Sequence, residues 1–83
     1  MEVKIVKVDW SSYCQSVERT MLELEHELGL ALEIVDGDVD KARVNSWGVK
    51  SYPTTLICDH AGKVRKTLVG VKTKQELKEF IEE

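Results

Sequence analysis

Trp10-Ser11-Ser12-Tyr13-Cys14 joins an apolar strand to a long amphipathic helix and sets a thiol in that helix's first turn. Upstream, Val3 to Val8 is β-branched and mostly apolar, as in a strand buried on much of both faces. Downstream, Cys14, Val17, Met21, Leu24 and Leu28 recur at steps of three and four, one apolar stripe of a helix. Glu18, Arg19, Glu23, Glu25 and Glu27 form its wet side. Ser12 with Gln15 matches a capping box, and Gly29 is placed to end the helix.

Leu30 to Val35 reads as a second strand with Leu30, Leu32 and Ile34 on one face. Asp36-Gly37-Asp38 is a turn, and Asp38 or Asp40 is placed to cap a short helix carrying Ala42, Val44 and Trp47, closed by Gly48. Thr54 to Cys58, just after the single proline Pro53, reads as a third strand. A turn at Asp59-His60-Ala61-Gly62 leads to the alternating arm Lys63 to Val69 of a hairpin. Thr73 with Glu76 is a second capping box, opening a helix with Leu77, Phe80 and Ile81 inward. The order is β-α-β-α-β-β-α. Alternating strands and helices imply parallel pairing through right-handed crossovers, with the hairpin adding an antiparallel edge. The expectation is an α/β domain spanning residues 1–83, a four-stranded mixed sheet with helices on both faces.

Composition narrows the function. At 83 residues there is room for one core, and 42% hydrophobic with 33% charged residues is a globular balance. A net charge of -3, with cations and acids interspersed, excludes a nucleic-acid or anionic-membrane partner. No apolar run approaches the roughly 20 residues of a membrane span. The start Met1-Glu2-Val3-Lys4 is not that of a signal peptide, so the expected location is cytoplasmic. His26 and His60 lack metal or catalytic spacing, and Asp36, Asp38 and Asp40 lack the glutamate of a calcium loop. Neither a metal nor a cofactor is expected, and the chain reads as a monomer.

Four segments in order now resemble the thioredoxin superfamily in its short, glutaredoxin-like form. They are Trp10 before the four-residue stretch Ser11 to Cys14, then Tyr52-Pro53-Thr54, then Gly62-Lys63-Val64, and finally Leu68-Val69-Gly70 leading into Thr73 to Phe80. The resemblance implies a thioredoxin-like fold, a cis peptide before Pro53 and thiol-disulfide oxidoreductase activity. It assigns Ser11 to the nucleophile position, inactive as serine, and Cys14 to the resolving position. Trp10, Tyr13, Tyr52 and Pro53 become substrate-binding residues. The implied partners are protein disulfide substrates or extended peptides, with a thioredoxin-reductase-like donor if the site is active.

Two departures stand out. The family's Trp-Cys-Gly-Pro-Cys is here Trp10-Ser11-Ser12-Tyr13-Cys14, and the buried acid five residues before the motif is replaced by Ile5. A serine hydroxyl without an adjacent base does not replace a thiolate. Cys58 lies five residues past Pro53, roughly 16 Å along an extended strand, too far to pair with Cys14. It reads as a buried small hydrophobe. Several alternatives stay open. Cys14 is either a redox-site thiol or one more apolar residue of the stripe, and Pro53 alone also fits a strand start. Serine at 11 is a natural loss or a Cys-to-Ser change. The function is that of an oxidoreductase with an incomplete dithiol, of a redox-inactive module binding extended peptides, or of a monothiol acting through Cys14.

Overall fold

Four consecutive residues, Val3 to Val6, are buried along strand β1 (Glu2–Lys7), because β1 has a neighbour on each side and helices above and below. The computed structural model describes residues 2–83. After β1 come α1 (Ser12–Leu28), β2 (Leu32–Asp36), α2 (Lys41–Ser46), β3 (Thr54–Cys58), β4 (Val64–Val69) and α3 (Lys74–Glu82), in the sheet order β2-β1-β3-β4. The expected α/β architecture is the observed one. Every residue of β3, the other central strand, is buried, while the edge strands β2 and β4 are only partly so.

The pleat of β1 divides the core. Val3 and Ile5 face α1 and α3, packing with Val17, Met21, Leu24, Leu77 and Ile81. Val6 faces α2, packing with Val35, Val44, Leu56 and Cys58. Gly29 ends α1 in the left-handed region at φ 65°, where a residue with a Cβ is strained.

Parallel pairing holds for β1 and β2 only. β3 runs antiparallel to β1, Val6 lying opposite Thr54 and Glu2 opposite Cys58. The six residues of α2 rise about 9 Å, short of the roughly 16 Å of a five-residue strand. The register shows the chain re-entering the sheet at the end it left, Thr54 of β3 lying opposite Val6 and Asp36 of β2 opposite Lys7. Four local expectations are also corrected. Helix α1 starts one residue earlier than the Ser12–Gln15 pattern implies, so Ser11 is its N-cap. β2 starts at Leu32, and Ile34 stays exposed because edge strand β2 is only partly covered by α1. Ala42 is exposed, since α2 turns Val44 inward. Trp47 is half-buried, one side on the core and its ring under the Arg43 guanidinium at 4.9 Å and the Lys4 ammonium at 5.7 Å.

Candidate functional site

Three chain ends meet at one end of the sheet: the exit of β1, the exit of β2, where Asp36 lies opposite Lys7, and the entry of β3, where Thr54 lies opposite Val6. The buried Val8 anchors the segment leaving β1, and Trp10 follows it, 73% exposed. Ser11 is extended at φ -109° and ψ 118°, and its side chain takes none of the helix N–H groups. Its carbonyl accepts from the Cys14 N–H at 3.2 Å. Tyr13 projects outward at 68% exposure, whereas the Cys14 thiol turns in and is buried. The helix period explains the contrast: Cys14 heads the apolar stripe, and Tyr13, one residue earlier, lies about 100° around the axis.

The Tyr52–Pro53 peptide is cis, with Pro53 buried and Tyr52 half-buried. The loop is tied at both ends. The Thr54 hydroxyl donates to the Ser51 carbonyl at 2.7 Å, and the Gly70 N–H donates to the Pro53 carbonyl at 2.9 Å. Because Thr54 pairs with both Val6 and Val69, this loop lies at the sheet end where α1 begins. Trp10, Ser11, Tyr13, Cys14, Tyr52 and Pro53 thus share one end of the molecule.

Cys58 belongs elsewhere. It lies opposite Glu2, at the far end of β3, and both cysteines are free thiols. Burial pushes the Cys58 thiol up from its ordinary range, and the nearby Lys4 ammonium only partly opposes this. A thiol held protonated in apolar surroundings is unreactive.

The turn after β2 contributes residues whose part in the site was not foreseen. The indole Nε1 of Trp10 donates to Asp38 Oδ2 at 3.0 Å, across a separation of 28 residues. Asp36 Oδ1 accepts from the N–H groups of Asp38 and Val39, and the Gly37 N–H donates to the Lys7 carbonyl at 2.7 Å. Lys7 Nζ bonds to Asp9 and lies 3.7 Å from Asp36; the Asp9 bond, outweighing partial burial, raises its pKa. Asp36-Gly37-Asp38 is legible as a turn, but no spacing links it to Trp10. Among the described residues no cluster of three His, Cys, Asp or Glu is arranged to hold a metal ion. No helix there is long and apolar enough to cross a membrane.

The geometry agrees with comparisons to known proteins. Over 74 residues the chain is 40% identical to a thioredoxin of Listeria monocytogenes, covering 87% of this chain and 71% of that protein. It is 36% identical to a thioredoxin of Bacillus subtilis over the same length, covering 87% and 70%. Among solved structures, a mutant thioredoxin from Halobacterium salinarum superposes with a TM-score of 0.88 at 26% identity, over 96% of this chain and 70% of that one. Thioredoxin 1 of Thermosipho africanus shares the fold, with a TM-score of 0.86 at 20% identity over 99% and 91% of the two chains. The thioredoxin family model itself runs through residues 3–83. The chain therefore belongs to the thioredoxin family.

Proposed function

We propose that the chain is a thioredoxin-type thiol-disulfide oxidoreductase whose cycle is arrested at position 11. What supports this is the junction of β1 and α1. Ser11 sits at the helix N-cap with its hydroxyl engaged by no helix N–H, three residues before a buried thiol and at the same sheet end as the Tyr52–Pro53 loop. A cysteine at that N-cap would be favoured as a thiolate by the free N–H groups and the helix dipole. It would attack a substrate disulfide, forming a mixed disulfide and releasing one substrate thiolate. Cys14 would then attack the sulfur at position 11, closing an internal disulfide and releasing the second thiolate. The substrate gains the two electrons that the dithiol loses, and a thioredoxin-reductase-like donor returns them. Serine stops this at the first step, because its hydroxyl is not ionised near neutrality and neither His26, in the last turn of α1, nor His60, in the β3–β4 turn, adjoins it.

Ser11→Cys is expected to form a disulfide between position 11 and Cys14 under mild oxidation, seen as a mass loss of two hydrogens. With dithiothreitol as donor it should reduce insulin, while the unaltered chain does not. A Ser11→Cys protein that keeps two free thiols there and leaves insulin intact refutes the proposal.

The exposed aromatics favour a second reading for the chain as it stands. Trp10 and Tyr13 flank a thiol that is itself out of reach, an arrangement suited to holding an extended peptide without redox chemistry. Binding of this kind survives alkylation of accessible thiols; its loss on alkylation points instead to Cys14 as a working monothiol.

A further inference from the structure

Gly37 is buried, and its backbone φ lies outside the left-handed region. Nothing in the main chain therefore requires glycine here. The contrast with Gly29, Gly48, Gly62 and Gly70 is direct: those four have positive φ, and an added Cβ would meet nothing within 4 Å. At Gly37 an added Cβ would lie 2.5 Å from Cε1, 2.8 Å from Cζ and 2.9 Å from the hydroxyl oxygen of Tyr52. The bare backbone of residue 37 is the bed on which the phenol ring rests, and the half-buried Tyr52 also packs against the core under α2.

The bed is rigid. Its N–H is bonded to Lys7 at the end of β1, and Asp36 closes the turn through two N–H groups. The next residue, Asp38, holds the indole of Trp10. One turn thus holds two of the aromatic side chains of the candidate site, Trp10 through Asp38 and Tyr52 through Gly37. We propose that Gly37 is a specificity-determining position: by lacking a side chain it seats the Tyr52 ring on the Asp36–Asp40 turn and fixes the wall that an extended peptide meets beside Pro53. This rests on the reading of the Trp10–Tyr52 surface as the substrate-binding surface.

A methyl group at 37 forces the ring off the turn, because a carbon at 2.5 Å cannot be accommodated by a small shift of a ring lodged against the core. The altered surface then follows from the tyrosine, not from any change of backbone. The effect of Gly37→Ala must therefore depend on what occupies position 52.

The test is a double-mutant cycle read by fluorescence anisotropy of labelled, carboxymethylated insulin B chain, a peptide with no disulfide to exchange. Gly37→Ala is expected to weaken binding about fivefold when Tyr52 is present and less than about twofold in the Tyr52→Val background, a coupling typical of side chains in contact. Equal weakening in both backgrounds, or no weakening in either, overturns this role and leaves the peptide-binding surface standing. The unaltered chain supplies an independent readout, a nuclear Overhauser contact between the Gly37 Hα and Tyr52 ring protons. Its absence overturns the role even if Gly37→Ala fails to fold. A chain that shows this contact but binds no B chain overturns the surface reading, and the role with it.

Discussion

At Glu33 two cations from different elements converge. Arg43 grips the carboxylate with both guanidinium nitrogens, at 2.9 and 3.0 Å, and Lys4 Nζ donates to Oε1 at 2.6 Å. Arg43 first and Lys4 second hold the Glu33 carboxyl down to about 2 from 4.5. Lys4 is only 5% exposed, yet it stays charged: burial, the largest single influence, would lower its pKa, and the bond and charge of Glu33 together with the nearby Glu2 charge raise it on balance. A depressed carboxyl pKa contributes stability that is complete above about pH 5 and is lost as pH falls toward 2. With the Glu33 side chain 39% exposed, solvent screening trims this to about 1 kcal/mol. Glu33→Gln should therefore shrink the drop in unfolding free energy between pH 7 and pH 3, measured by urea titration at both. Lowered pKa values at Glu27, beside Lys74, at Asp59, bonded by the Lys63 N–H, and at Glu76, bonded by the Thr73 N–H, keep part of the slope. An unchanged drop in the variant assigns the acid sensitivity to those groups instead. In the sequence Lys4 reads only as one polar residue of a β-branched run. Its partner is set by register, which puts Glu33 directly opposite it, and register is a property of two strands.

Two helix starts show how far a local pattern carries. At α3 the capping box expected from Thr73 and Glu76 is complete: the Thr73 hydroxyl accepts from the Glu76 N–H at 3.1 Å, and Glu76 Oε1 accepts from the Thr73 N–H at 3.2 Å. At α1 the similar Ser12–Gln15 pattern is idle, because the N-cap is Ser11 and its side chain makes no cap bond. Both helices satisfy the same spacing rule. They differ because the start of α1 is set by the exit of β1 and the anchoring of Val8, not by a serine. Thr73→Ala should thus cost about 1 kcal/mol, while Ser11→Ala should change stability by less than about 0.5 kcal/mol. Chemical-denaturation midpoints compare them directly. Equal losses at the two positions mean that the Ser11 hydroxyl does cap α1, and that a cysteine there would compete for the same N–H groups.

Across the molecule, stability depends on two core layers separated by one sheet, and helix α1 lines the larger of them. Leu24 is fully buried there, whereas Leu22, two residues earlier, is exposed on the outer flank. Leu24→Ala should destabilise by about 3 kcal/mol and Leu22→Ala by less than about 1 kcal/mol, read as shifts in urea midpoint at constant slope. Comparable losses would mean that α1 is not seated as described. The apolar period that separates these two leucines is written in the chain, as are the order of elements, the glycine stop of α1 and the four segments resembling thioredoxin. Such features depend on residues a few positions apart, where the geometry of a helix or strand fixes who faces whom. The antiparallel entry of β3, the bond from Trp10 to Asp38, the Lys4–Glu33 pairing and the seat of Tyr52 on Gly37 lie beyond that reach. Each joins residues far apart in the chain: the parallel register of β1 and β2 brings Lys4 to Glu33 and Trp10 to Asp38, and the return of the chain after α2 to the end of the sheet where α1 begins brings in β3 and Tyr52.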